Sequence, residues 1–266
     1  MRQRARDDSR GILDPARLLR EVRFRRHLPA EPLRGWVEHY WLIDWTLSTP
    51  FEQRIVPHPA VNVVFRSDGD SDAEGAEVVG VGRDPFRITL TGTGRVCGVQ
   101  FRPGGFRPFW RRSVAELTGL RLPLPAGRLS RAVQPVCAGS DSDSCNALDA
   151  TLTAWAPDPD PAAKEAVRLV ESIRADRTVL RVDEFAARHG VPVRRLQRLF
   201  TECVGVSPKW VIRRYRLQEA VERAARAPLD WAGLAATLGY SDQAHLVRDF
   251  TAVAGVSPAA YARSVR

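Results

Sequence analysis

The sequence predicts an α+β chain: mainly β with short helices in its first part, all-α in its last. Three observations carry this expectation. Runs of β-branched and aromatic residues fill residues 36–102. Closely spaced prolines in APDPDPAA, residues 156–163, prevent helix continuation and favour extended backbone. Beyond them nearly every segment spaces its apolar residues as a helix does. With 266 residues and 44% hydrophobic content there is enough chain for two cores. The organisation expected is an arm over 1–20, a β-rich domain over 21–155, a linker at 156–163 and a helical domain over 164–266.

In order along the chain, residues 1–20 are Arg-rich without an apolar stretch, which predicts an arm with a short helix at Pro15–Arg20. EHYWLIDW, AVNVVF, EVVGVG, FRITLTG and RVCGVQF read as strands, separated by turn-forming stretches such as SDGDSDAEG. After FRPGGF the period changes, and PFWRRSVAELTG, LSRAVQPVCA and CNALDATLTAW suit short helices. FRPGGF itself lacks the Lys-Ser/Thr ending of a phosphate-binding loop and reads as a tight turn into a helix. GVGRDP, residues 80–85, lacks the third glycine and the helix of a dinucleotide loop.

Candidate chemistry is sparse. Cys97, Cys137, Cys145 and Cys203 form no CxxC pair and have no nearby His at ligand spacing, so they read as reduced thiols. His27, His39 and His58 share no short spacing. No metal site, cofactor or catalytic constellation is expected. There is no leader and no apolar run of membrane-spanning length, which predicts a cytoplasmic protein without a membrane partner. The net charge of +9 is uneven: residues 162–266 hold 18 Lys+Arg against 11 Asp+Glu, residues 1–161 hold 22 against 20. That asymmetry points to a polyanionic partner for the last part.

KEAVRLVESIRA brings Val167, Val170 and Ile173 to one side, and VDEFAARHG places Phe185, Ala186 and His189 at helical spacing before a glycine. In VRRLQRLFTECV, Leu196, Leu199, Phe200 and Cys203 form one stripe, with Arg194, Gln197, Arg198 and Thr201 opposite. A helix, a glycine turn and a second helix with a basic face outline a helix-turn-helix. An internal repeat doubles it. FTECVGVSP at 200–208 recurs as FTAVAGVSP at 250–258, so DQAHLVRDF is the second copy of VRRLQRLF. FAARHG and LAATLG align one residue out of step with this, which lengthens the second turn by one. Leu246 and Phe250 are then expected to pack on the preceding helix. Asp230 is expected to cap a helix, Asp242 to lie at a helix N-terminus and Asp249 to pair with an Arg; Trp210 and Trp231 are expected in the core. KWVIRRYRLQEAVERAARA, free of Gly and Pro, predicts a connecting helix of about 27 Å at roughly 1.5 Å per residue.

Residues 164–266 resemble the DNA-binding domain of the AraC/XylS family of bacterial transcription regulators. LQRLF with VGVSP, then LAATLGYSDQAHLVRDF and AGVSPAAYAR, carry the resemblance. It implies seven helices with two helix-turn-helix units across a linking helix. It also implies a first recognition helix reading DNA with Arg194, Gln197 and Arg198, and a second with Gln243, Ala244, His245 and Arg248. Arg195, toward the flank, is expected to meet phosphate. Ala244 departs from the polar reader often found there, so the second unit is expected to rely more on phosphates or DNA shape. RIVPHPAVNVVF and GVQFRPGGFRPF give the first half a weaker likeness to the β-rich sensor or assembly domains of the family. The partners implied are double-stranded DNA, RNA polymerase, a small-molecule effector and a second copy of the chain. The rival class, a DNA-repair alkyltransferase carrying an AraC-like module, needs clustered cysteines or an activated Cys followed by His, and this chain has neither. A non-enzymatic regulator is expected.

Overall fold

In the computed structural model, residues 15–68, 75–124, 132–155, 157–226 and 230–264 are described. The strands are β1 (Val22–His27), β2 (Val37–Ile55), β3 (Asn62–Asp68), β4 (Gly75–Val79), β5 (Phe86–Phe101) and β6 (Arg121–Pro123). They form one antiparallel sheet in the order β1-β2-β5-β3-β4-β6. Before β1 lies α1 (Pro15–Glu21); after β5 come α2 (Arg107–Trp110), a 3-10 turn at Val114–Leu117, α3 (Val133–Cys137) and α4 (Asp141–Trp155). The predicted arm before residue 15 lies outside the described residues.

The period-two pattern puts apolar residues on both faces of the sheet. Tyr40, Leu42, Phe65, Cys97 and Val99 pack with Val136 of α3 and with Leu148 and Leu152 of α4. On the other face Val22, Trp45, Val64 and Val96 pack with Leu18 of α1 and with Phe51 and Leu90.

Two readings of the sequence change here. FRITLTG and RVCGVQF are not separate strands; they are the two ends of β5, which pairs along β2 with a register shift between Leu47 and Phe51. Glycines in this strand serve packing, since a Cβ at Gly94 would sit 2.3 Å from the Trp45 ring and one at Gly98 2.1 Å from Trp41. Strand β1 went unanticipated because its sequence, VRFRRH, is charged. Its buried residues include Arg25 and His27. Arg25 donates to both oxygens of Asp141 at 2.9 and 2.5 Å and pairs with Asp44 at 2.6 Å. Arg95 joins the same two carboxylates, each at 3.3 Å. The hydrogen bond from Arg25 holds the Asp141 carboxyl at about 2. This network fastens the start of α4 to the sheet, and Tyr40 fastens its middle through a 2.7 Å bond to Asp149.

Among the described residues seven helices follow: α5 (Pro161–Ala175), α6 (Val182–Arg188), α7 (Val193–Cys203), α8 (Pro208–Arg226), α9 (Trp231–Thr237), α10 (Gln243–Ala254) and α11 (Pro258–Ser264). Helix α5 opens on an Asp160 cap, with Pro161 at its first position. It buries Ala163, Ala166, Leu169, Val170 and Ile173, whereas Val167 is only half-buried. Phe185 and Ala186 are buried as expected; His189 is exposed, with its ring 4.4 Å from that of Phe185.

The helical part docks on the sheet part through specific groups. Val81 enters the core of α5 to α8 and Val56 the core of α8 to α11. Arg107 pairs with Asp160 at 2.7 Å, and Thr118 donates to the Gly205 carbonyl at 2.7 Å. Arg174 reaches Glu38 at 2.6 Å. Burial alone would raise the Glu38 carboxyl, but the charges of His58, Arg174 and His39 outweigh it and hold it at about 2. Because the folded value lies below the unfolded one, this stabilisation is present above roughly pH 5 and is lost as the pH falls through about 4 toward 2. Glu38→Gln should therefore lower stability at pH 7 by on the order of 2 kcal/mol, and by much less at pH 3. Urea unfolding of both chains at the two pH values checks this; a deficit independent of pH would contradict it.

Candidate nucleic-acid interface

The helical part is built from two four-helix units, α5 to α8 and α8 to α11, that share α8. Val211 and Ile212 of α8 belong to the first core, with Leu196, Leu199, Phe200 and Cys203 of α7. Leu217, Ala220, Val221 and Ala224 belong to the second, with Leu246 and Phe250 of α10. Leu246 and Phe250 pack there with Leu234, Ala235 and Leu238 of α9. Both stripes expected from the sequence are therefore buried. Trp210 and Trp231 are half-buried at the core margins, Trp231 edge-on to Phe250.

Equal local sequence makes equal local structure. Gly190 and Gly239 both take positive φ after their helices (+64° and +69°), and in both turns the next residue donates back to an alanine carbonyl, Val191 to Ala186 and Tyr240 to Ala235. From these glycines α7 begins three residues later and α10 four, the extra residue read from the repeat. In both VSP copies the serine caps the next helix: the Ser207 oxygen accepts from Trp210 N and the Ser257 oxygen from Ala260 N, each at 3.3 Å. Asp230 caps α9, accepting from Ala232 N, and Asp242 caps α10, accepting from His245 N at 2.7 Å. That backbone bond lowers the Asp242 carboxyl, so the cap is charged where the helix dipole favours it.

The faces opposite the stripes are polar and open. Arg194, Gln197, Arg198 and Thr201 on α7 are exposed, as are Gln243, Ala244 and Arg248 on α10. Among the described residues, the side chains of Arg194, Gln197, Arg198, Gln243 and Arg248 show no hydrogen bond or ion pair. Two of the predicted residues are engaged. Both terminal nitrogens of Arg195 donate to Glu165 of α5, at 2.7 and 2.6 Å. His245 is half-buried, with Nδ1 3.2 Å from the Ser241 hydroxyl and its ring edge-on to Tyr240. Asp249 pairs with an arginine as expected, and the partner is Arg213 of α8. Glu165 carries no sequence signal for such a role, because it lies 30 residues from Arg195 on another helix.

Cys203 lies deep on the buried stripe, where burial pushes its thiol up to about 11. A group so held is a poor nucleophile at neutral pH. Among the described residues no helix is long and apolar enough to cross a membrane.

Residues 185–264 match the family described as helix-turn-helix domain, of the AraC type, and residues 25–123 match a domain of unknown function, DUF6597. No curated protein matches. Among solved structures, a probable AraC family transcriptional regulator from Rhodopseudomonas palustris is similar at 25% identity, with a TM-score of 0.33, over 37% of this chain and 94% of that one. The C-terminal domain of AraT, a response regulator from Geobacillus stearothermophilus, is similar at 23% identity and TM-score 0.35, over 40% and 86%. Fatty-acid-bound ToxT from Vibrio cholerae is similar at 11% identity and TM-score 0.44, over 84% and 94%.

The two glycines that follow α7 and α10 differ in their surroundings. Gly205 (φ +90°) is buried, and a Cβ there would lie 2.9 Å from the Thr118 hydroxyl and 3.1 Å from the Val114 carbonyl. Gly255 (φ +74°) is exposed. Gly205→Ala should cost roughly 2–4 kcal/mol, from backbone strain plus overpacking, and Gly255→Ala about 1 kcal/mol from strain alone. Chemical denaturation of the two variants checks the order; equal losses would contradict the docking of Val114–Leu117 on the first unit.

Proposed function

We propose that this chain, which carries an AraC-type helix-turn-helix domain at its C-terminus, is a transcription regulator that inserts α7 and α10 into successive major grooves of double-stranded DNA. One observation carries the reading: two open polar faces, repeated at the same register, stand on opposite ends of a single 19-residue helix. That connector is about 28 Å long at roughly 1.5 Å per residue, close to the ~34 Å between grooves on one side of B-DNA. Arg194, Gln197 and Arg198 read bases from α7, and Gln243 and Arg248 from α10. Arg pairs with guanine O6 and N7, and Gln with adenine N6 and N7. Arg195 meets phosphate through the N–H groups that Glu165 leaves unused. Ala244 offers no hydrogen bond and His245 is already turned toward Ser241, so the second unit reads less by direct contact and more by shape.

The proposed DNA-binding domain is residues 164–266 and the sensor or assembly domain residues 21–155, in a cytoplasmic protein without enzymatic activity. Beside the end of α1, at the edge where β1, β2 and β5 meet, lies a groove of about 1020 Å³ lined by Phe24, Trp45, Arg20, Arg23, Asp44 and Arg95, among others. Its mixed apolar and charged lining suits an amphipathic small molecule as effector. A second copy of the chain pairing through this domain is the other way it controls DNA binding.

Two experiments test the reading. Arg198→Ala or Gln197→Ala should cost roughly 1–3 kcal/mol on the preferred duplex and relax preference at one or two base pairs. Arg248→Ala should do the same about one helical turn away. Titrations on base-substituted duplexes decide; uniform loss on every duplex would reduce both helices to a basic surface. Separately, the fragment 162–266 should fold and bind the same duplex, while only the full chain responds to an effector or forms a dimer. A fragment that binds with unchanged affinity and stoichiometry, beside a full chain that responds to nothing, would leave the sheet domain without its regulatory role.

A further inference from the structure

Each recognition helix is tied to the first helix of its own unit by one two-pronged arginine–carboxylate pair, and the charges of the two ties are reversed. In the first unit the carboxylate is Glu165 on α5 and the cation is Arg195 on α7, with bonds of 2.7 and 2.6 Å. In the second the cation is Arg213 on α8 and the carboxylate is Asp249 on α10. Arg213 Nε lies 2.5 Å from one oxygen, and its Nη2 takes the other. In both ties the carboxylate is the shielded member, with side-chain exposure of 20% for Glu165 and 12% for Asp249, against 48% and 52% for the arginines. The repeat does not supply this likeness, since Asp249 stands at the register of Leu199 and His245 at that of Arg195.

We infer that Glu165 and Asp249 are positioning residues that set the rotation of α7 and α10 against DNA, and that Glu165 also restrains Arg195 as a cation. This rests on the DNA-reading function proposed above. An apolar stripe fixes how deep a short helix lies, yet permits it to roll; a planar guanidinium held by both carboxylate oxygens removes that freedom. The arginines stand about half exposed, which limits what the ties add to stability, and the geometry they fix is where the reading face points.

The two ties differ in consequence. Arg195 lies beside the reading face, and its pairing offsets part of the charge with which it meets phosphate. The Arg195 hydrogen bond keeps the Glu165 carboxyl below its usual range, so the offset holds at neutral pH. Arg213 stands off the recognition helix, and there the carboxylate belongs to the reader itself. Asp249 also lies 3.9 Å from His245 Nε2, so one group orients both the helix and a side chain at its margin.

The test compares full-length wild type, Glu165→Gln and Asp249→Asn on the preferred duplex, on its base-substituted variants and on a shuffled duplex, at two salt concentrations. Glu165→Gln should bind the shuffled duplex several-fold more tightly, with a salt slope steeper by about one unit, while its ratio of specific to non-specific affinity falls. Asp249→Asn should leave shuffled binding nearly unchanged and flatten base preference in the half-site read by α10 alone. A uniform loss of affinity on all duplexes, or variants indistinguishable from wild type, would overturn the inference. If circular dichroism shows either variant unfolded, Glu165→Asp and Asp249→Glu keep the charge and shift the carboxylate by one methylene. They should keep the wild-type salt slope while altering base preference, and an unaltered preference again overturns the role. A wild type that binds all duplexes alike sinks the DNA-reading proposal itself, whereas a selective wild type with unaltered variants sinks only the positioning role.

Discussion

Helix α8 supplies side chains to two separate cores, and the arrangement of the helical half follows from that sharing. Val211 and Ile212 close the first core and Leu217, Ala220, Val221 and Ala224 the second, with no Gly or Pro between them to bend the rod. Each recognition helix then buries its own stripe against its own end of α8, and its polar face is left outward. A separate connector for each core would leave the two faces free to turn independently. One hydrogen-bonded rod holds them at a fixed spacing, which is what reading two grooves at once demands.

The sheet half grips this arrangement unevenly. The first unit receives Val81 in its core, the Thr118 bond at Gly205 and the Arg107 pair at the cap of α5. The second receives Val56. The same GVSP turn is largely buried in one unit and exposed in the other. The sheet half therefore contacts the first unit at more points than the second, through packed side chains and named hydrogen bonds that include one to Asp160 in the linker sequence.

Positive charge in the helical half is sorted by partner. Arg174, Arg177, Arg181, Arg188, Arg195, Arg213 and Arg223 all pair with carboxylates. Arg194, Arg198 and Arg248 show no such pair among the described residues and stand on the open polar faces of α7 and α10. Part of the charge excess of the last part thus faces outward from α7 and α10, in addition to the exposed Arg168, Lys209 and Arg263. A net charge of the same size spread over the surface would attract DNA without orienting it.

The sequence by itself determined the local elements of the helical half: the buried stripes, the glycine turns, the aspartate caps and the one-residue difference between the turns. These follow from short-range rules of period, capping and positive φ, and the 50-residue repeat states each of them twice. The sequence also placed Asp249 with an arginine, without naming Arg213. What only the tertiary structure decided lies at long range. Strand β1 is a strand because Asp44 and Asp141, distant in sequence, neutralise the arginine it buries. FRITLTG and RVCGVQF become one strand because both pair along β2, with the Trp45 indole seated over Gly94 between them. Glu165 meets Arg195 because α5 and α7 pack side by side. Period and propensity describe a residue's neighbours along the chain, and the pairing of charges across packed elements is set by the chain's return path, which no local pattern encodes.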